Sequence, residues 1–286
     1  MARVAIVTDS TAMLPSDLGD AAELITSVPL QVIVDGTSYD DGAEETSPQA
    51  LLTALAAHKT VTTSRPSPAL LAEVYAKLAA QGFDEIVSIH LSAELSATCE
   101  SSMLAAREAP IPVITVDTRL VGPGVGFAVM AAAAVAARGG TAAEAREAAL
   151  ARVAATRSYF YVDTLEYLRR GGRIGAAAAL LGTALAVKPL LTIEEGRVVP
   201  HERVRTAERA IARLQALGVE ACEDTDGVEV FVAHLGSPDR ATAMTEGLSE
   251  ELNGKIDGDV RVGELGAVLG AHVGPGCVAV VVAPRV

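Results

Sequence analysis

Tryptophan is absent from this 286-residue sequence, and aromatic residues make up only 3% of it although 50% of the residues are hydrophobic. Ala, Val and Leu must therefore build the core, which suits helices packed on a sheet. Cysteine is scarce: Cys99, Cys222 and Cys277 are far apart and odd in number. That excludes a disulfide framework and shows no metal-ligand spacing, so a reduced, cytoplasmic setting is expected, with no metal and no cofactor. Basic charge is in deficit, with 23 Lys and Arg against 36 Asp and Glu. A net charge of −13 excludes the basic stripe that a nucleic-acid surface needs and argues against adsorption to anionic membrane. Long apolar runs are lacking too. Phe127 to Ala137 is apolar but too short to span a bilayer, so no stable membrane insertion is expected. The N-terminal segment meets Thr8-Asp9-Ser10 too early for a signal peptide. No nucleophile elbow, phosphate loop or dinucleotide fingerprint occurs, so nucleotide-dependent chemistry has no support.

What is present is an alternation of strands and helices. Val4 to Val7 and Glu85 to His90 read as buried strands, and Val28 to Val34 as a strand closed by the turn pair Asp35-Gly36. Ser16 is expected to cap a short helix from Asp17 to about Leu24. Ser47-Pro48 and Ser67-Pro68 each place a cap before proline at a first helical position. Val61 to Pro66 reads as a polar link. Strand Val113 to Val116 is followed by helices from Gly122 to about Arg138 and from Thr141 to about Ala155. Such crossovers predict a parallel sheet. Beyond Thr156 the pattern changes. Tyr159 to Val162 reads as a strand, Leu165 to Arg170 as a brief helix, and Ile174 to about Ala186 as an alanine-rich helix. Val187 to Val199 forms a hairpin about Glu195-Gly196. Helices at Thr206 to Leu217 and after Ser237-Pro238, with strands at Val228, Val260 and Val278, complete the chain. The expectation is two α/β domains, 1–157 with a mainly parallel sheet and 158–286 with a mixed one, with a ligand between them.

Several polar clusters stand where strands should end: Asp9-Ser10-Thr11, Thr62-Thr63-Ser64, Ser92 to Thr98, and Asp117-Thr118. In open α/β sheets the carboxyl ends of strands face the ligand crevice. The stretch Ser88 to Ser102 is the densest in hydroxyls. It runs from a buried strand into a helix start, where free N–H groups favour an anion. Ser96 is expected to cap that helix. Arg169-Arg170-Gly171-Gly172-Arg173 is a compact basic element in an acidic chain, and a guanidinium aimed into a crevice would suit a carboxylate or phosphate. His272 precedes Gly-Pro-Gly and reads as part of a close-approach loop. His234 is a weaker candidate.

The segments VTDSTAMLP, TTSRPSP, SIHLSAELSAT, TLEYLRRGGRI, VKPLL, VRTAERA and GAHVGPG occur in this order over nearly the whole chain. Together they resemble the DegV family of bacterial fatty-acid-binding proteins. The resemblance implies a non-catalytic subunit that buries a long-chain fatty acid in an apolar tunnel. The carboxylate is then presented to a separate fatty acid kinase, which makes the acyl phosphate for phospholipid synthesis. By the same resemblance Thr63 and Ser96 bond the carboxylate, and His272 lies at the head-group end. Arg173, and more weakly Arg205, serve the exit or the kinase contact. Two departures stand out: Ala97 replaces a usual Gly, and Arg65 replaces a usual Gln. Arg65 raises the alternative of a carrier for another carboxylate lipid. A small-molecule hydrolase or transferase using Ser96 and His272 is the alternative from a different class.

Overall fold

The computed structural model describes residues 2–180, 188–223, 225 and 227–285. In chain order its elements are β1 (Val4–Asp9), β2 (Ile25–Val28), β3 (Gln31–Val34), β4 (Thr37–Asp40), α1 (Pro48–Ala56), β5 (Val61–Ser64), α2 (Pro68–Ala80), β6 (Glu85–His90), α3 (Thr98–Ala106) and β7 (Val113–Asp117). They continue with α4 (Pro123–Ala137), α5 (Ala142–Ala155), β8 (Arg157–Tyr161), α6 (Glu166–Arg170), β9 (Lys188–Glu194), β10 (Arg197–Val204), α7 (Ala207–Glu220), β11 (Val228–His234), α8 (Pro238–Glu251), β12 (Arg261–Glu264), α9 (Ala267–Val273) and β13 (Val278–Pro284). Packing divides the chain into two compact units. The first holds the residues up to Gln31 with Ser64–Ala155, and the second holds Val32–Thr63 with Thr156–Arg285.

The first unit is built on a parallel sheet in the order β2-β1-β6-β7. Both faces are covered, which is why β1 is buried at every position. Ile6, Val87 and Ile89 share a core with Val125, Ala128 and Ala132 of α4 and with Ala145 and Ala149 of α5. Ala5, Val7 and Ile86 face Leu71, Tyr75 and Leu78 of α2. Small residues on α4 let it lie close to the sheet, so this helix is apolar on every side.

The second unit holds a mixed sheet in the order β10-β9-β8-β13-β11-β12, in which β11 and β12 run parallel and the other neighbours antiparallel. The hairpin β9–β10 turns at Glu195 and Gly196, whose φ angles of 48° and 80° are the left-handed pair that a tight hairpin requires. Leu214 and Leu217 of α7 and Met244 and Leu248 of α8 bury the sheet's Val230, Val232 and Val280. A second sheet has the order β4-β3-β5.

Local chemistry made several ends legible. The Ser47 and Ser67 hydroxyls accept from Ala50 N (3.3 Å) and Leu70 N (3.1 Å), as caps before proline should. Thr141 and Glu144 satisfy each other reciprocally at the start of α5.

Other expectations are corrected. The helix expected from Asp17 to Leu24 is a single 3-10 turn, Gly19–Ala21. The Asp17 carboxylate accepts from Gly19 N, and Gly19 takes a φ of 52°, so the local turn wins over the helix. The strand expected from Val28 to Val34 is two strands, interrupted at Pro29, which has no N–H for a ladder. The polar link at Val61 is strand β5. His272 lies in the last turn of α9, not in a loop. Of the alanine-rich helix expected from Ile174, Gly175–Leu180 is 3-10, and 181–186 lie outside the described residues.

The expected division at residue 157 puts Val32–Thr63 in the first domain, whereas packing groups these residues with those after Ala155. Leu51 of α1 explains this: it is 2% exposed and lies against Gly270 of α9, where a Cβ would come within 2.5 Å of its Cδ2. Asp41 also accepts from Val268 N at 3.3 Å.

Candidate functional site

Strand β5 and helix α9 bring Thr63 and His272 together across 209 positions of sequence. Thr63 Oγ1 lies 2.8 Å from His272 Nε2. The segment after α6 packs on the other side of the imidazole. Gly171 approaches so closely that a Cβ there would lie 2.1 Å from His272 Nδ1. Arg173 follows two residues later, donating from Nη1 to Gly171 O at 2.5 Å. Thr63, His272 and Arg173 line one cavity of about 420 Å³, together with Lys59, Tyr167 and Arg170 among others. The lining has three cations and, among the described residues, no carboxylate.

The electrostatics of this cavity follow from its contacts. Glu166 takes two bonds from Arg169 and one from Arg170 and is held well below the usual carboxylate range, at about 2. Lys59 is 3.8 Å from Asp35. Burial pushes the His272 imidazole down to about 4, with the Arg173 guanidinium adding to the effect. His272 is therefore neutral at pH 7. Its Nδ1 is buried with no hydrogen-bond partner among the described residues.

Ser96 belongs to the first unit. It is not the helix cap expected: the N-cap of α3 is Ala97, which offers no side-chain acceptor, and the Ser96 hydroxyl bonds that of Thr98 at 2.9 Å. The loop that carries Ser96, after β6, is pinned from the ends of β1 and β7. Asp9 accepts from Leu91 N (3.0 Å), Asp117 accepts from Ala93 N (3.1 Å), and Thr118 donates to His90 O (2.8 Å). The polar clusters at these strand ends thus satisfy one another first. Arg65 is likewise engaged, donating to Glu100 (2.7 Å) and to Ala97 O (3.2 Å). Arg205 is exposed between β10 and α7 and is not part of the cavity lining. His234 lies 3.9 Å from Glu264 in another part of the second unit, and burial lowers its pKa.

Beneath the Ser96 loop runs a buried relay that sequence reading missed. Asp9 Oδ2 meets His90 Nδ1 at 3.0 Å, and His90 Nε2 meets Ser88 Oγ at 2.8 Å. Ser88 continues to Tyr75 OH, which bonds Ser102, which bonds Thr115, each at 2.8 Å. The order Asp-His-Ser is that of a charge-relay triad. Here all three residues are 0% exposed and the serine oxygen is occupied by Tyr75, so the relay is structural. The alternation of polar residues Ser88 and His90 inside a buried strand was the available signal. Lys59 and Tyr167 were also missed as cavity wall, and Gly171 was read only as part of the basic element Arg169–Arg173. Burial raises all three thiols, Cys222 to about 11 and Cys277 to about 12, so none is a ready nucleophile.

The family model described as "Uncharacterised protein, DegV family" matches residues 3–285. The chain belongs to the DegV family. Its sequence is 51% identical to a DegV domain-containing protein of Streptomyces coelicolor over 99% of each chain. A DegV family protein from Thermus thermophilus, described as fatty acid binding, superposes with a TM-score of 0.87 at 35% identity over 99% of both chains. DegV of Bacillus subtilis, described as a fatty acid binding protein, superposes with a TM-score of 0.90 at 29% identity over 100% of both. The DegV fold accounts for the parallel sheet of the first unit and the mixed sheet of the second. No helix among the described residues is long and apolar enough to cross a membrane.

Proposed function

We propose that this DegV protein is a carrier that binds a long-chain fatty acid in a buried apolar tunnel. It presents the carboxylate to a separate fatty acid kinase for acyl-phosphate formation, in the cytoplasm, as a step toward phospholipid synthesis. It is not itself the enzyme. Thr63 and Ser96 bond the carboxylate, His272 lies at the head-group end beside Thr63, and Arg173 and Arg205 serve the exit or the kinase contact. The observation that carries this reading is the Thr63–His272 pair on a cationic cavity wall. The fatty-acid binding described for the Thermus and Bacillus relatives supports it. Physical chemistry supports it too. Each buried methylene contributes about 0.8 kcal/mol, so a long chain binds tightly while a few neutral donors orient its head. A hydrolase is less well supported, because the Ser96 hydroxyl bonds Thr98 and not a base.

The test is native mass spectrometry with lipid extraction of the purified protein, followed by titration with palmitate. An acyl chain that co-purifies, or saturable palmitate binding, is expected. Absence of both overturns the reading. Phosphorylation of the bound acid by a fatty acid kinase, reduced in Arg173→Ala, tests the second half.

A further inference from the structure

We propose that His272 is a positioning residue that acts through Thr63. Its Nε2–H donates to Thr63 Oγ1 and thereby turns the Thr63 hydroxyl hydrogen outward, as a committed donor to an anionic head group. The inference rests on the lipid-carrier reading for the identity of that head group, but not for the direction of the hydrogen bond.

A threonine hydroxyl has one hydrogen, and it faces two possible partners here. If His272 carries its proton on Nδ1, Thr63 must donate to Nε2. The cavity then receives only oxygen lone pairs, which repel a carboxylate. If the proton is on Nε2, the ring fills a Thr63 lone pair and the hydroxyl hydrogen is released.

Two observations choose the second arrangement, and a third keeps the ring neutral. Nδ1 is buried without a hydrogen-bond partner among the described residues, and a buried N–H with no acceptor is costlier there than a bare lone pair. Gly171 packs so close to Nδ1 that a Cβ there would lie 2.1 Å from it, so residue 171 leaves no room for a side-chain acceptor on that side. Arg173 places a cation near the ring, which opposes the imidazolium and keeps the ring to a single N–H. Each of the other charged groups on the cavity wall, Lys59 and Arg170, is also a cation and acts in the same sense. The resulting chain runs from His272 to Thr63 to ligand, all donors pointing one way. Such a chain selects an ionised carboxylate, which only accepts, over an alcohol of the same length, which can adapt.

Histidine-detected nitrogen NMR of the ligand-free protein, with His272 assigned by its loss in His272→Gln, reads the tautomer directly. A neutral ring protonated at Nε2 at pH 7 is expected. An Nδ1–H tautomer or an imidazolium overturns the proposal. Competition between palmitate and hexadecanol supplies the second readout. Glutamine places its amide donor near the Nε2 position and asparagine near Nδ1. His272→Gln should therefore keep the preference for the acid. His272→Asn and Thr63→Val should each lose about tenfold or more of it, the effect of one hydrogen bond to a charged group. Equal preference in all three variants, or retention by asparagine and not glutamine, overturns it. A wild type that binds no palmitate would remove the lipid reading alone, because the protonation measurement needs no ligand.

Discussion

His272 sits where three constraints meet: a hydroxyl at Nε2, a glycine backbone at Nδ1 and a guanidinium nearby. Gly171 is the sharpest of these. Its backbone is ordinary helical, with φ of −72°, so alanine is tolerated by the chain itself. The main obstacle is the imidazole, 2.1 Å from where the Cβ would stand, with the Tyr167 carbonyl at 3.2 Å. Gly171→Ala should cost about 1–3 kcal/mol by overpacking, and His272→Ala should relieve most of that cost in the double variant. Urea denaturation of the four proteins measures the coupling, and additive effects would show that the contact is slack. Titration of the same ring predicts a pH dependence. The unfolded imidazole takes a proton near its ordinary value of 6.5, whereas the folded one takes it near 4. The unfolded chain therefore binds the proton more readily, and stability held by the neutral ring is complete above about 6.5 and lost as pH falls toward 4. His272→Gln should flatten the slope of stability against pH in that window, and equal slopes would contradict a neutral ring. Thr63, His272 and Arg173 were all legible in the sequence because each lies in a distinctive motif. Lys59 was not, since nothing just past a helix end marks a cavity wall, and Tyr167 shares the motif of Arg173 but stands in the charged helix α6 with no feature that singles it out.

At the level of elements, the end of β1 organises the loop after β6. Asp9 accepts from Thr11 N, Thr11 Oγ1, His90 Nδ1 and Leu91 N at 0% exposure. Asp9→Ala leaves those donors buried without partners, so a loss of about 3 kcal/mol or more is expected in thermal or urea unfolding, with exposure of the Ser96 loop to hydrogen exchange. Loss of less than about 1 kcal/mol would show that water replaces the carboxylate. At the start of α5, Thr141→Ala should cost about 1 kcal/mol, the ordinary value of an N-cap. Caps were legible because serine, threonine and proline act within three or four residues. The failure at Asp17 is of the same local kind. A carboxylate two residues before a glycine with positive φ makes a competing turn, and the sequence offers both outcomes. The failure at Ser96 differs, because which residue caps α3 depends on how Asp9 and Asp117 hold the preceding loop.

For the whole molecule, the two units differ in what they contribute. The charge of −13 disfavours anionic surfaces in general, so the cationic cavity wall of the second unit is a local reversal of sign. If the carrier reading holds, palmitate at about a hundred times its dissociation constant should stabilise the folded protein by roughly 2.7 kcal/mol through mass action. A rise in unfolding temperature that is absent with hexadecanol would tie this to the head group, and no rise with either lipid would count against the carrier.

The sequence by itself determined the α/β class, the change from a parallel to a mixed sheet, several strand and helix ends, and the family to which the chain belongs. These rest on signals that act over a few residues or recur as ordered motifs. Only the tertiary structure decided that Val32–Thr63 packs with the C-terminal residues, and that Thr63 therefore meets His272 across 209 positions. Only it decided that the hydroxyl-rich strand ends spend their hydrogen bonds on one another. The reason is the same in each case. A buried polar group must find a partner wherever packing brings one, and neither periodicity nor spacing along the chain records which distant residue arrives.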